Sequence, residues 1–145
     1  MLVAEVLGVY AVTDIFGVSP VVVLRAEDGR ILPIYIGLAE AVAIHSALKN
    51  EIPPRPMTHD LMVEIIKRLG AKLEKVIIDD LIDNTFYARL ILYVNDREIE
   101  VDARPSDSIA IAVRMAIPIF IDEKVLNEAC RDEIPEDFVE FDRII

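Results

Sequence analysis

Short runs of apolar and β-branched residues recur along the chain and predict strands. The longest run, Val3–Thr13, is interrupted by Gly8 and predicts a strand with a bulge at the glycine. Gly29 is predicted to supply the positive φ of a hairpin turn, and Asn95 with Asp96 to form a second tight turn. The remaining strands are predicted at residues 21–24, 31–36, 73–78, 85–94, 98–102 and 118–121.

Segments with helical periodicity lie between these strands. Thr58 is predicted to cap a helix that Gly70 ends, and Ser106 to cap another. The helix after Thr58 carries an apolar stripe that is predicted to face the core. That stripe consists of Leu61, Ile65, Ile66 and Leu69. The helices are predicted at residues 39–49, 59–69, 107–115 and 123–129.

The two halves of the chain repeat one plan of three strands followed by a helix. Residues 33–53 align without gaps onto residues 98–118, at an offset of 65 and with five identities in 21 positions. We therefore predict two similar β-β-β-α units that close one core, in a single compact α+β domain. Its sheet is expected to be mostly antiparallel or mixed, with the helices packed on it. The domain is predicted to cover residues 1–130, followed by an acidic C-terminal tail at 131–145.

Composition and charge narrow the class of protein. Hydrophobic residues make up 54% of the chain and charged residues 28%, which is typical of a globular protein. The formal net charge is −11, and a surface of that sign repels a phosphate backbone. Any action on nucleic acid would therefore need bound divalent cations or a local basic patch.

Other features of the sequence bear on location and assembly. No apolar run reaches the roughly 18 residues of a membrane span, and the N-terminal segment lacks the basic start of a signal peptide. Cys130 is the only cysteine, which excludes an intramolecular disulfide and favours a reducing compartment such as the cytoplasm. The 21 isoleucines and the absence of glutamine are typical of a thermophilic source. The many aliphatic side chains predict an exposed apolar patch and hence a homo-oligomer.

The segment from Asp102 to Asp107 is a candidate site because it joins a predicted strand to a predicted helix. Backbone N–H groups at such a helix start favour an anion, Arg104 offers a guanidinium fork for phosphate, and Ser106 adds a hydroxyl. Asp102 and Asp107 carry oxygen ligands suited to Mg²⁺ or Mn²⁺. The alternative is purely structural: a capping serine, an acid favouring the helix dipole, and a local ion pair.

Four further residues extend the candidate site. His59 is a plausible general base and Asp60 a neighbouring carboxylate, although both also suit an ordinary helix start. Glu40 opens the first long helix and becomes a third metal-binding carboxylate if the two strand-to-helix turns converge. Arg55 lies between prolines and is either a rigidly presented phosphate contact or the partner of an acid in another subunit.

Four short segments, read together, form a specific pattern. They are Leu32–Gly37 followed by Glu40–Ala41, Arg55–Leu61, Asp83–Ala88, and Asp102–Ala110. In order and spacing these segments resemble the bifunctional nuclease domain family, over about residues 1–130. The resemblance implies hydrolysis of DNA and RNA phosphodiesters. Tyr35 departs from the pattern, since relatives commonly carry a tryptophan there.

Two functions remain open at the level of sequence. The chain has no Gly-rich phosphate loop, HExxH zinc motif or nucleophile elbow, so metal-assisted hydrolysis is the one enzyme class its residues support. In that reading a carboxylate-held cation activates water, His59 acts as base and Arg104 stabilises the developing charge. The alternative is a non-catalytic oligomeric module that binds an unknown ligand. Convergence of Asp102, Asp107, Glu40 and His59 within about 6–8 Å in one open cleft would favour the nuclease, and scattered positions would favour the module.

Overall fold

The structure is a computed structural model that describes residues 1–143. It confirms a compact α+β domain with a mixed sheet and helices packed on it. The strands are β1 (Leu2–Asp14), β2 (Gly17–Ala26), β3 (Ile31–Tyr35), β4 (Lys72–Ile82), β5 (Thr85–Val94), β6 (Arg97–Ala103), β7 (Ile119–Ile121) and β8 (Val139–Glu140). The helices are α1 (Leu38–Leu48), α2 (Thr58–Arg68), α3 (Pro105–Met115) and α4 (Glu123–Ala129), with a 3₁₀ turn at Phe141–Arg143.

The sheet has the strand order β3-β2-β1-β7-β4-β5-β6, with β8 paired to β1. Each outer half is a three-stranded antiparallel meander, and a helix follows the third strand in both. The short strand β7 joins the halves, because it pairs antiparallel with β1 and parallel with β4. A common origin of the two halves stays a prediction. Helices α1 and α3 begin at Leu38 and Pro105, 67 positions apart rather than the 65 of the sequence alignment.

The main core lies between the sheet and the helices. Alternate residues of β2, Val22 and Leu24, face this core together with Ile44 of α1 and Ile109 of α3. Helix α3 packs against both α1 and α2. The first turns of these three helices are thereby held close together, and this placement matters most for the candidate site.

Local turn chemistry agrees with the sequence. The long first strand has a register shift between Val6 and Gly8, which confirms the predicted bulge. Gly29 has a φ of 96°, and Asn95 and Asp96 have φ values of 51° and 63°, as the hairpin turns require. Pro33 lies on β3, at the edge of the sheet, where its missing N–H costs no ladder hydrogen bond.

Both predicted helix caps were wrong by one or two residues. Met57 is the N-cap of α2, and Thr58 is its first helical residue. Arg104 is the N-cap of α3, Pro105 is the first helical residue and Ser106 the second. In α3 the cause is Pro105. Its fixed φ and missing N–H suit the first helical position, so the helix starts closer to the end of β6 than predicted.

The predicted stripe of α2 was wrong in direction. The buried side of α2 carries His59 and Val63, and of the predicted stripe Ile66 packs against the core, whereas Leu61, Ile65 and Leu69 are exposed. Helix α2 packs mainly on α3 and only lightly on β4, so the domain covers a narrow strip of it. The apolar arc of this helix is wider than the strip that the domain covers.

The acidic segment after residue 130 is packed onto the domain. Arg131 forms a backbone bridge with Ile31, and β8 extends the sheet beside β1. Ile134 and Phe138 pack on the sheet face opposite α1 and α3, while Phe141 is buried in the main core. Within residues 1–143, no helix combines the length and hydrophobicity needed to cross a membrane.

Candidate functional site

Three helix starts line one cavity of about 410 Å³. Glu40 of α1, Asp60 of α2 and Asp107 of α3 each occupy the third position of their helix, and all three line this cavity. Its wall also contains His59 and Arg104. Helix N-termini carry a partial positive charge and unpaired N–H groups, so their convergence favours negative charge, either that of the acids or that of a ligand.

A chain of hydrogen bonds links four of these side chains. His59 Nε2 lies 2.9 Å from Asp107 Oδ1. The other oxygen of Asp107 accepts a hydrogen bond from Arg104 Nε at 3.0 Å. Arg104 Nη1 then donates to Glu40 Oε1 at 3.1 Å. One imidazole, one guanidinium and two carboxylates from three helix starts therefore act as a connected unit, which we call the helix-start cluster.

Burial divides the helix-start cluster into a sheltered part and an open part. His59 is 8% exposed, whereas the side chain of Arg104 is 65% exposed. Burial alone would raise the pKa of Asp107, but the hydrogen bonds from Arg104 and His59 outweigh burial and lower that pKa. The hydrogen bonds that Arg104 donates to Asp107 and to Glu40 raise the pKa of Arg104. Both groups are therefore charged at neutral pH, with the arginine facing solvent.

Asp60 lines the cavity but belongs to a different pair. Its Oδ1 accepts a hydrogen bond from Arg114 Nε at 2.8 Å, and its Oδ2 accepts one from the Met57 N–H at 3.0 Å. The hydrogen bond from Arg114 lowers the pKa of Asp60. Asp60 thus caps α2 and ties it to α3, and both of its oxygens are engaged by these bonds.

Glu40 can reach Arg104 because of the residue before the helix. Gly37 is the N-cap of α1 and has an ordinary extended conformation, with φ −79° and ψ 167°. The carboxylate of Glu40 folds back over it, so closely that a Cβ at position 37 would clash with Oε2. The glycine is needed here for space rather than for backbone freedom.

Three predicted site residues lie apart from the helix-start cluster. Asp102 is exposed on β6 and pairs in register with Arg89, on the sheet face opposite the helices. Alternation along the strand sends Val101 to the helical face and Asp102 to the other. Arg55 is exposed in the connector and does not line the cavity. Ser106 is buried and lines a second cavity instead.

The residues that converge do not match a ready-made metal site. Within residues 1–143, no group of three or more His, Cys, Asp and Glu side chains has an arrangement that could hold a metal ion. Both oxygens of Asp107 are engaged by His59 and Arg104, and Glu40 is engaged by Arg104. A tightly held Mg²⁺ or Mn²⁺ would have to displace the arginine from these carboxylates.

The second cavity, of about 920 Å³, adjoins the first at the Arg104–Glu40 pair, since both residues line both cavities. Its wall includes Tyr35, Asn84 and Phe86. Sequence reasoning gave these three residues no role, although all of them fall within the segments that carry the family resemblance. Arg114 was also missed, because only the crossing of α2 and α3 reveals its contact with Asp60.

Comparison with known proteins agrees with the resemblance. Residues 22–133 match the family model described as the bifunctional nuclease domain. An uncharacterised protein of Mycobacterium tuberculosis is 51% identical over 112 residues, which are 77% of this chain and 66% of that protein. Bifunctional nuclease 1 of Oryza sativa subsp. indica is 33% identical over 109 residues, 72% of this chain and 33% of the plant protein. Bifunctional nuclease 1 of Arabidopsis thaliana is 32% identical over 109 residues, 72% of this chain and 34% of that protein. The match thus spans just under two thirds of the mycobacterial protein and about a third of each plant protein.

Proposed function

This chain belongs to the bifunctional nuclease domain family, and from that membership we propose that it hydrolyses phosphodiester bonds of DNA or RNA. The relatives named nucleases are longer proteins, and the matched region is one part of them. We infer that the residues responsible for hydrolysis lie within this matched region.

The observation that carries the proposal is the connected chain of His59, Asp107, Arg104 and Glu40. A carboxylate that hydrogen bonds with one ring nitrogen of an imidazole orients the ring for proton transfer at the other nitrogen. Asp107 makes this contact with Nε2 of His59. His59 would take the proton of the attacking water or give one to the leaving oxygen. Within residues 1–143, Arg104 uses only its Nε and Nη1 for side-chain partners, which leaves three of its five N–H groups for a phosphate.

The charge of the chain sets a condition on this chemistry. At −11, the surface repels a phosphate backbone, and four acids, Glu40, Glu51, Asp60 and Asp107, line the smaller cavity within residues 1–143. We propose in addition that Mg²⁺ or Mn²⁺ bound to the substrate phosphates offsets this repulsion. Arg104 already engages Asp107 and Glu40, so the substrate rather than these carboxylates would hold such a cation.

The decisive experiment measures cleavage of labelled single-stranded DNA, single-stranded RNA and duplex DNA by the wild type and by His59→Ala and Asp107→Asn. Each protein is assayed with Mg²⁺, with Mn²⁺ and with a chelator. Loss of a positioned general base or of its orienting carboxylate is expected to slow cleavage about 10²- to 10⁴-fold. A chelator-sensitive rate would support the cation.

Glu64→Gln is the matched control for these variants. Glu64 lies on α2, as His59 does, but its carboxylate is exposed and pairs with Arg68, one turn along the same helix. The Glu64→Gln variant should therefore cleave at the wild-type rate. Cleavage that persists unchanged in both site variants would show that the helix-start cluster is not the catalytic site.

A second candidate function is a non-catalytic homo-oligomeric module, and the exposed stripe of α2 favours it. We propose that a second copy of the chain covers this stripe through antiparallel pairing of the two α2 helices. The first turn of α2 carries an acid, Asp60, and its last turn carries two bases, Lys67 and Arg68. Antiparallel pairing places the acidic start of one helix beside the basic end of the other, in a twofold-symmetric contact.

A further inference from the structure

The larger cavity differs in charge from the rest of the molecule. In a chain with a net charge of −11, residues 1–143 contribute one acid and one base to this wall, Glu40 and Arg104, and these already pair with each other. Most of its remaining wall is apolar, with contributions from Val18, Pro20, Ile34, Ile36, Leu38 and Phe141. Its volume of about 920 Å³ lies within the roughly 300–1,000 Å³ of ligand pockets. A neutral apolar wall of this size suits an uncharged, flat ligand group.

Three side chains give this wall the means to recognise such a group. Tyr35 is 60% exposed although it is a large aromatic residue, and it offers a ring for stacking. Phe86 adds a second, half-buried ring. The exposed side-chain amide of Asn84 forms no hydrogen bond with the described part of the chain, and an amide pairs well with the edge of a nucleobase.

The position of Arg104 connects this wall to the proposed chemistry. Arg104 lines both cavities, with the aromatic wall on one side and His59 on the other. A phosphate held by its outward N–H groups would therefore lie at the junction. The base attached to that phosphate would extend into the larger cavity, and the scissile bond would face the helix-start cluster.

We propose that the larger cavity is a nucleobase subsite, in which an unpaired base of single-stranded nucleic acid stacks on Tyr35 while its phosphate is held by Arg104. The proposal rests on the proposed function and names its substrate class. Stacking on Tyr35 requires a base that is free of its partner strand, so the subsite selects single strands over duplexes. Because every base has a flat face, stacking tolerates different sequences, while Asn84 adds a preference among bases.

The test measures binding without cleavage. Fluorescence anisotropy of a labelled short oligothymidylate is recorded with His59→Ala, which keeps the probe intact, once in chelator and once with Mg²⁺. Both measurements are repeated after adding Tyr35→Ala or Tyr35→Phe to that variant. Tyr35→Ala should weaken binding about 5- to 150-fold, since stacking on an aromatic contributes roughly 1–3 kcal/mol per base. Tyr35→Phe keeps the ring and should bind as the parent does.

Tyr87→Ala is the matched control, because Tyr87 is an exposed tyrosine on β5 that lines neither cavity, and it should not change binding. Equal affinity of the Tyr35→Ala variant and its parent, or duplex binding as tight as single-strand binding, would overturn the subsite. So would a change in oligomeric state caused by Tyr35→Ala, since the wall would then be a contact between copies. Tyr35-dependent binding by a protein whose wild type cleaves nothing would refute the proposed hydrolysis and leave the subsite standing.

Discussion

Two aspartates at helix starts are held charged by arginines, and this makes their contribution to stability depend on pH. Asp60 hydrogen bonds to Arg114, and Asp107 to Arg104 and His59. The pKa of each aspartate lies below the ordinary value of 3.8. Since the folded-state pKa is lowered, the stability that each ionised group contributes is fully present above pH 3.8 and is lost as pH falls through the folded-state pKa.

Asp60→Asn tests this dependence. At neutral pH we expect the free energy of unfolding to fall by about 2 kcal/mol, because a charged hydrogen bond to the largely buried Arg114 is lost. Below pH 3.8 the variant and the wild type should converge, since the wild type loses the same ionised group. Urea unfolding followed by circular dichroism across this pH range measures both. A constant gap between the two proteins at every pH would contradict the assignment, and Glu64→Gln should show no gap.

Gly37 tests the geometry of the helix-start cluster without touching its charges. Alanine fits the backbone conformation at position 37, but its Cβ would push the Glu40 carboxylate away from Arg104. We expect Gly37→Ala to change the free energy of unfolding by less than about 1 kcal/mol, because an exposed ion pair contributes little. The cleavage rate of Gly37→Ala should fall to that of the Glu40→Ala variant, measured in the same assay.

A double-mutant cycle decides whether Gly37 acts through Glu40. In the Glu40→Ala background, Gly37→Ala should have no additional effect on the cleavage rate, since the side chain that it displaces is already absent. Additive losses would show that the glycine matters for another reason.

At the scale of elements, α2 is the helix whose surface the domain leaves incomplete. Leu61 and Ile65 are both exposed, so replacing both with serine should change the stability of the folded chain by no more than about 0.5 kcal/mol. If α2 pairs with its copy, the wild type is dimeric by light scattering and the double variant is monomeric. A wild type that stays monomeric at the highest concentration tested would refute this interface.

The elements were predictable where local chemistry decides, and less so where packing decides. Gly29 and the Asn95–Asp96 turn follow from φ preferences that the residues carry by themselves. The burial of α2 does not, because its apolar arc is wide enough to face the core in more than one rotation. Only the packing of α3 selects the strip that contains His59 and Val63.

The same division holds for the candidate site. Arg104, Asp107 and His59 were predictable because each follows a strand-to-helix or loop-to-helix junction, where polar groups meet free N–H donors. Asp102 failed as a member because it still belongs to β6, whose alternation turns it to the opposite face. The partnership of Asp60 with Arg114 spans 54 positions of sequence, and no local pattern indicates it.

At the scale of the whole molecule, the acidic segment helps to close the core. Phe141 is 1% exposed, and its ring packs edge-on against His45 with centroids 5.5 Å apart. Phe141→Ala should lower the free energy of unfolding by about 3–5 kcal/mol, as for other buried aromatic residues. Urea unfolding provides the measurement. Phe138→Ala is the comparison, because the Phe138 ring is only half-buried and its loss should lower the free energy of unfolding by less. Equal effects of the two substitutions would contradict the central position of Phe141.

The place of β7 also bears on how the chain folds as it is synthesised. In the described sheet β1 and β4 meet only through β7, which comes from Ile119–Ile121. While a ribosome extends the chain, each meander can form as soon as it has emerged, but the central gap between them stays open until these three residues leave the exit tunnel. A nascent chain stalled while Ile119–Ile121 are still inside the tunnel should therefore expose the inner edges of β1 and β4 to protease. A chain stalled just after these residues have emerged should have both edges protected.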